Sequence, residues 1–335
     1  MKIALTYDLR DDYRAMGYSD EATAEFDSAE TIAALEAAID RNGYQTERVG
    51  HIRALAARLV AGERFDLVFN ICEGLAGRSR EAQVPALLEA YGIPYLLSDP
   101  LTCAVTLDKA AAKRIVRDQG IATAPFAVAR TAAEAERIAL AFPLFVKPLA
   151  EGTGKGCERA SKVFSRPELK AAVRTLAARF SQPAIVETFL PGREFTVGIV
   201  GNGRDARVIA VMEIVMTDSH DDDVYSFVNK EECESRIRYL LADDAEARRA
   251  GRTALDAYRA LDCRDTARVD IRSDAAGLPH FLEVNPLPGI HPTHSDLPIL
   301  AAMAGVGYDD LIGRIVAAGL KRLGLDRRAA VRRAA

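Results

Sequence analysis

The sequence predicts a mixed α/β and α+β fold, with a doubly wound parallel sheet at the N-terminus and two α+β lobes after it. In the first hundred residues, short apolar runs alternate with helical patterns, as in the strand–helix–strand units of a parallel sheet. Further along, strands follow one another across tight turns, which is typical of antiparallel pairing. The 335 residues include no Trp and 49% hydrophobic residues, so the cores must consist mainly of Ala, Leu, Val and Ile.

The first lobe begins with a short buried strand and a long amphipathic helix. Ser28 is the predicted N-cap of this helix, because its hydroxyl can accept a hydrogen bond from the first turn. Ile32, Leu35 and Ile39 lie on one face, and Gly43 ends the pattern. The predicted strands are 3–7, 65–70 and 93–97, and the predicted helices are 28–42 and 80–91.

A break in the pattern near residues 98–100 separates this lobe from the rest. Beyond it, the predicted helices are 108–119 and 167–180, and the predicted strands are 144–148, 185–190, 195–200, 207–215, 267–272 and 280–284. The last two strands form a predicted hairpin around the loop 273–277. This order predicts three lobes, spanning residues 1–98, 99–182 and 183–335.

Composition excludes some classes of function. The net charge of −4 argues against a protein whose main task is to neutralise a nucleic-acid backbone, although a basic helix after Gly313 leaves that alternative open. The five cysteines are scattered without a C-x-x-C pair, which is typical of reduced thiols. No apolar run approaches the roughly 18 residues of a membrane span. We therefore expect a cytoplasmic protein without nucleic-acid or membrane partners.

The C-terminal hairpin is the most informative motif. Side chains two residues apart on a strand face the same side, so Glu283 and Asn285 point together. If the hairpin closes around its predicted loop, Asp270 lies opposite them or nearly so. Two carboxylates and an amide oxygen suit Mg²⁺ that also binds phosphate oxygens. A solvated polar sheet face is the alternative.

Two loops can present backbone N–H groups to an anion. Residues 285–289 (NPLPG) follow a strand and form a rigid turn, which is either part of a ligand site or an ordinary strand end. Residues 152–156 (GTGKG) also follow a strand. They do not form a Walker A loop, because Gly156 stands where such a loop has Ser or Thr. A mobile lid of glycines is the remaining interpretation.

Single side chains carry less information. Lys147 lies in an apolar strand and Lys109 opens a helix, so each is either a phosphate ligand or a surface lysine with a buried stem. His291 and His294 make a zinc site conceivable, although no third soft ligand is nearby in the sequence.

Taken in order, these motifs resemble the ATP-grasp superfamily, and more closely its D-alanine–D-alanine ligase family. The matching segments are LDK at 107–109, FVKP at 145–148, EGT at 151–153, VETFL at 186–190, GREFTV at 192–197, RVD at 268–270 and LEVNPLPG at 282–289. The resemblance extends from about residue 65 to the C-terminus. It implies an ATP-grasp fold preceded by a parallel-sheet (pre-ATP-grasp) domain.

The resemblance also implies a reaction and its residues. An ATP-dependent carboxylate–amine ligase of this kind forms a dipeptide such as D-alanyl-D-alanine through an acyl phosphate, for cell-wall peptidoglycan. The nucleotide residues are Lys109, Lys147, Thr153, Glu187, Thr188, Phe189, Leu190, Glu194 and Lys230. The metal ligands are Asp270, Glu283 and Asn285, for two Mg²⁺ ions, with Mn²⁺ as an alternative. The catalytic residues are Arg268 and the N–H of Gly289 at the oxyanion, with Glu25 and Glu73 at the first amino acid.

The amino-acid half departs from the family pattern. Residues 6–10 (TYDLR) replace an N-terminal glycine pair, Glu25 is a loose match to the family's Ser-x-Glu, and Glu73-Gly74 replaces His-Gly. Two alternatives therefore stand beside D-alanine ligation: a ligase of the same fold that joins other amino acids, and a nucleotide-binding relative without ligase activity. The family resemblance also implies a homodimer.

Overall fold

The computed structural model describes residues 1–152, 154–216 and 237–326, which form three sheets surrounded by helices. The strands are β1 (Lys2–Thr6), β2 (Gln45–Gly50), β3 (Leu67–Asn70), β4 (Tyr95–Leu96), β5 (Phe126–Ala129), β6 (Leu144–Pro148), β7 (Lys162–Val163), β8 (Ala184–Thr188), β9 (Glu194–Val200), β10 (Arg207–Met216), β11 (Ile237–Leu241), β12 (Thr266–Ser273) and β13 (Pro279–Asn285). The α-helices are α1 (Arg10–Ala15), α2 (Ala29–Arg41), α3 (Ile52–Val60), α4 (Gln83–Ala90), α5 (Pro100–Leu107), α6 (Lys109–Asp118), α7 (Ala132–Glu136), α8 (Arg166–Phe180), α9 (Ala245–Ala260), α10 (Asp296–Met303) and α11 (Tyr308–Arg322).

The first sheet is parallel, with the strand order β2-β1-β3-β4, so the predicted parallel sheet is confirmed. The cap predicted for α2 is also confirmed, because the backbone N–H of Thr31 donates to Ser28 Oγ over 3.1 Å. The sequence analysis missed β2. Its residues, QTERVG, lie at the sheet edge, where only Val49 is buried, and so they lack the apolar run that marks an inner strand.

The second and third sheets are antiparallel, with the strand orders β5-β8-β6-β7 and β11-β10-β9-β12-β13. The expected grouping of β8 with the strands that follow it is wrong, because β8 forms its ladders with β5 and β6. The second sheet therefore extends beyond residue 182, where the second lobe was predicted to end. The division of the chain into three domains otherwise stays a prediction.

One of the buried cores combines residues that are far apart in the sequence. Ile3 and Leu5 of β1 pack in one core with Leu311, Ile312 and Ile315 of α11, so the two ends of the described chain meet. A second core joins the third sheet to α9 and α6. A third core lies between the second sheet and α8. Among the helices of the described ranges, none combines the length and apolar character that crossing a membrane requires.

Candidate active site

Two neighbouring cavities lie where the three sheets approach one another, with volumes of about 980 Å³ and about 110 Å³. Lys109, Glu151 and Glu283 line both of them, so the cavities adjoin. The predicted nucleotide residues that line the smaller cavity are Lys109, Lys147, Glu187, Thr188, Phe189, Leu190 and Glu194. Thr153 and Lys230, also predicted for the nucleotide, lie outside the described residues. The larger cavity is lined by Glu25, Glu73, Arg268 and Gly289, the four predicted catalytic residues.

The β12–β13 hairpin places the predicted metal ligands together. Asp270 lies opposite Glu283 and Arg268 opposite Asn285, so the predicted register is confirmed. The Oγ of Thr196, on the neighbouring β9, donates to Asp270 over 3.0 Å, and Asn285 Nδ2 donates to the same carboxylate over 3.4 Å. Asp270 faces the smaller cavity, Asn285 the larger, and Glu283 both.

An irregularity in this hairpin brings an apolar side chain into the smaller cavity. The pairing shifts between Asp270 and Ile271, which leaves Leu282 as an extra residue on β13. In regular pairing, Leu282 and Glu283 would face opposite sides of the sheet, yet both line the smaller cavity. A β-bulge re-aims side chains in this way. The sequence contained no signal for it.

The two predicted phosphate lysines converge on one carboxylate. The Nζ atoms of Lys109 and Lys147 lie 3.5 and 3.6 Å from Glu283 Oε2. Each lysine is only 7% exposed, which rules out the surface-lysine alternative. Burial alone would lower the pKa of Lys147, but Glu187 and Glu283 outweigh burial and raise it. The Lys147 side chain therefore remains a cation at the edge of the smaller cavity.

Lys113 is a buried lysine that was not predicted from the sequence. It follows Lys109 by four residues and so lies on the same face of α6, a spacing that could have indicated it. Its Nζ lies 2.6 Å from Glu187 Oε1, while the other oxygen of Glu187 lies 3.2 Å from Lys147. The two lysines lower the pKa of the Glu187 carboxyl in spite of its burial.

Arg268 joins the hairpin to the larger cavity. Its guanidinium forms ion pairs with Asp270, over 3.0 Å, and with Asp296 at the start of α10, over 3.2 Å. These carboxylates overcome the effect of burial and raise the pKa of Arg268. Gly289 lies near the same helix, and a Cβ there would approach Ser295 Oγ to 2.7 Å. No larger residue fits at that position without a shift of its neighbours.

Glu25 is already paired with two cations. Arg80 Nη2 and Lys155 Nζ lie 2.6 and 3.1 Å from Glu25 Oε2. Burial would raise the pKa of this carboxyl, but Arg80 and Lys155 lower it. Lys155 belongs to the glycine loop, and a Cβ on Gly152 would lie 2.2 Å from Glu25 Oε1, so the loop lies directly against the carboxylate. The sequence analysis missed Arg80, which precedes α4 and carries no recognisable motif.

Three further carboxyl groups, those of Asp27, Glu73 and Glu81, line the larger cavity, and of these Glu81 pairs with Arg80 over 3.5 Å. Burial and the nearby Glu81 and Glu25 raise the pKa of Glu73 well above its ordinary range. Burial also raises the pKa of Glu81, to about 7, although Arg80 opposes the shift. Burial and Asp8 raise the pKa of Asp27 to about 7. This part of the cavity is therefore able to receive a cation.

The histidine pair lies on the wall of the same cavity. The rings of His291 and His294 are 4.6 Å apart, and His291 Nε2 lies 3.8 Å from Glu30 Oε2. Within residues 1–152, 154–216 and 237–326, no group of three or more His, Cys, Asp or Glu side chains is arranged to hold a metal ion. The zinc alternative is therefore not supported by the described part of the chain. The hairpin site depends instead on two carboxylates and one amide oxygen.

Known proteins resemble this chain in sequence and in structure. The family described as "D-ala D-ala ligase C-terminus" matches residues 115–317. An uncharacterized protein of Sinorhizobium fredii, y4sG, is 34% identical over 75% of this chain and 73% of its own. The D-alanine–D-alanine ligase of Xanthomonas axonopodis pv. citri is 34% identical over 83% of this chain and 86% of its own. The structure of D-alanine–D-alanine ligase from Bacillus anthracis complexed with ATP has a TM-score of 0.73 at 23% identity, over 97% of this chain and 99% of that one.

Proposed function

Because this chain belongs to the D-alanine–D-alanine ligase family, we propose that it is an ATP-dependent ligase that joins the carboxylate of one amino acid to the amine of another. The family resemblance and the ATP-grasp fold predicted from the motifs are confirmed. The observation that carries the proposal is the pair of adjoining cavities, with nucleotide residues around one and Arg268 and Gly289 around the other. Peptidoglycan synthesis is the pathway expected of such a dipeptide.

In the proposed site, ATP occupies the smaller cavity. Lys109 and Lys147 bind its phosphates, and the backbone of residues 187–190 contacts adenine. Glu194 accepts from the ribose hydroxyls, and its ion pair with Arg272 over 2.9 Å fixes its carboxylate. Thr153 and Lys230 complete the phosphate contacts in this proposal. The bulged Leu282 supplies apolar surface for the base.

The hairpin fits Mg²⁺ by the chemistry of its donors. Asp270, Glu283 and Asn285 offer hard oxygen ligands, few in number, as Mg²⁺ takes when phosphate oxygens fill the rest of its coordination sphere. When bound, two such ions would neutralise the charge on the transferring phosphoryl group. Mn²⁺ prefers similar ligands and is the alternative.

The carboxylate of the first amino acid attacks the γ-phosphorus of ATP, so that an acyl phosphate forms and ADP leaves. The neutral amine of the second amino acid then attacks the acyl carbon, the C–O bond to phosphate breaks, and the proton lost by the nitrogen balances the leaving phosphate as hydrogen phosphate. Arg268 and the Gly289 N–H stabilise the oxyanion of the second step, by a few kcal/mol. Glu73 binds the ammonium group of the first amino acid. Beside Glu73, Glu25 forms ion pairs with Arg80 and Lys155 and so holds these two cations in place.

A second candidate function is the ligation of amino acids other than D-alanine. Asp27, Glu73 and Glu81 line a cavity of about 980 Å³, in addition to Glu25, which Arg80 and Lys155 already neutralise, so the cavity offers more acidic groups than one small ammonium requires. This arrangement favours a substrate with an additional cationic group. A homodimer and the absence of nucleic-acid and membrane partners stay proposals.

The test is phosphate release from ATP and Mg²⁺ with a panel of D- and L-amino acids that includes diamino acids, with the product mass measured. Turnover with D-alanine supports the first candidate, and turnover only with other amino acids supports the second. Nucleotide binding without turnover on any pair would contradict both and indicate a binding protein without ligase activity.

A further inference from the structure

Lys113 lies outside both cavities, yet it contacts three parts of the site. Its side chain has no exposed surface, and it donates to Thr123 Oγ1 over 2.9 Å and to the carbonyl oxygen of Phe281 over 3.1 Å. Phe281 is two residues before the predicted metal ligand Glu283. The third contact is the ion pair with Glu187, over 2.6 Å. A cation without access to water is costly to fold, so its position calls for a physical reason.

The reason lies in the charge balance of the two lysines and Glu187. Glu187 is 3% exposed and carries one negative charge, which Lys113 and Lys147 share through its two oxygens. Burial lowers the pKa of Lys113, but the contact with Glu187 favours its protonated form, and with both lysines protonated this trio has a net charge of about +1. If Lys113 were neutral, Glu187 would pair with Lys147 alone and the net charge would fall to about zero. Phosphate oxygens next to Lys147 would then lose most of their attraction to it.

The contacts of Lys113 also connect two sheets. Lys113 belongs to α6, whose Ala112 and Val116 pack in the core of the third sheet, whereas Glu187 and Lys147 belong to the second sheet. Lys113 therefore links the second sheet, through Glu187, to β13 of the third sheet, through the carbonyl oxygen of Phe281. Loss of the Lys113 side chain would remove the positive charge that compensates Glu187. It would also remove a contact that holds the Glu187 carboxylate in place.

We propose that Lys113 is a positioning residue for nucleotide binding, which acts through Glu187 to leave the charge of Lys147 available to the phosphates. This role rests on the proposed function, because it presupposes that a nucleotide binds in the smaller cavity. Lys113 itself touches neither nucleotide nor metal. Its effect is therefore conditional on the carboxylate of Glu187.

A double-mutant cycle tests this dependence. Dissociation constants of a non-hydrolysable ATP analogue with Mg²⁺ are measured by calorimetry for the unaltered protein, Lys113→Met, Glu187→Gln and the double variant. We expect Lys113→Met to weaken binding about tenfold and the double variant to bind within about twofold of Glu187→Gln. Lys170→Met removes an exposed lysine that pairs with Glu136 and is the matched control, with unchanged affinity expected.

The comparison of Glu187→Gln with the double variant remains informative even if Lys113→Met alone does not fold. A folded Lys113→Met variant with unchanged affinity would overturn the proposal. So would a double variant that binds about tenfold more weakly than Glu187→Gln, because Lys113 would then act without Glu187. Absence of nucleotide binding by the unaltered protein would instead contradict the proposed function itself.

Discussion

Asp270 lies directly opposite Glu283 on the β12–β13 hairpin, and both side chains face the cavity proposed for ATP. Two carboxylates at neighbouring positions repel each other unless cations compensate them. Arg268 compensates Asp270, while Lys109 and Lys147 lie near Glu283. Three fixed cations therefore surround the two carboxylates. A divalent ion can bind to the carboxylates while phosphates bind to the lysines.

Replacement of Glu283 by Gln tests the metal assignment. We expect turnover to fall about a thousandfold, since several kcal/mol of charge stabilisation are lost, while the fold persists because the amide has the same shape. Phosphate release measures the first effect and circular dichroism the second. Glu136→Gln, at an exposed surface position, is the control. Near-normal turnover of Glu283→Gln would refute the assignment.

Replacement of Arg80 by Met tests the buried ion pairs around Glu25. We expect the free energy of unfolding to fall by about 3 kcal/mol, because Glu81 and Glu25 lose a buried partner. Arg14→Met removes an exposed arginine that pairs with Asp20, and should cost less than about 0.5 kcal/mol. Urea unfolding measures both values. Equal effects of the two substitutions would show that the buried network does not contribute as described.

Replacement of Asp27 by Asn tests the raised pKa at that position. The folded state binds a proton up to about pH 7, whereas the ordinary pKa is 3.8, so the stability contributed by this carboxyl is lost as the pH rises between these values. The amide side chain of the Asp27→Asn variant is neutral at every pH, so the variant does not lose this stability as the pH rises. Its unfolding temperature relative to the unaltered protein should therefore be about 5 °C higher at pH 8 than at pH 4. A difference in unfolding temperature that is the same at both pH values would contradict the raised pKa of Asp27.

Replacement of Glu73 by Gln tests the site of the first amino acid. We expect the KM for that amino acid to rise about tenfold, because its ammonium group loses a charged acceptor, while the KM for ATP stays the same. Initial rates with each substrate varied in turn separate the two constants. Glu134→Gln alters a partly exposed carboxylate at the start of α7, on neither cavity wall, and is the control. An equal rise in both constants would indicate a general disturbance instead.

Local patterns were enough to predict several of the elements that line the two cavities. The cap at Ser28, the strand that carries Lys147 and the facing of Glu283 and Asn285 follow from helix and strand periodicity, and the structure has them. The bulge at Leu282 depends on the register between two strands. Periodicity in a single strand does not contain that information.

The amino-acid side of the site required contacts between distant residues. Glu25 meets Arg80 across 55 positions of sequence and Lys155 across 130. A spacing pattern cannot show that a carboxylate is already neutralised, and so Glu25 was predicted as a direct substrate ligand. The place of β8 in the second sheet is a similar case, because sheet membership is decided by strands that lie tens of residues away.

The shared core of β1 and α11 has a consequence for synthesis on the ribosome. The residues of the first sheet are synthesised before Leu311, Ile312 and Ile315, yet these three side chains cover one of the two buried faces of that sheet. The second sheet has a core of its own within residues 127–186 and can pack as soon as those residues emerge. The packing of β1 is therefore complete only after α11 has been synthesised.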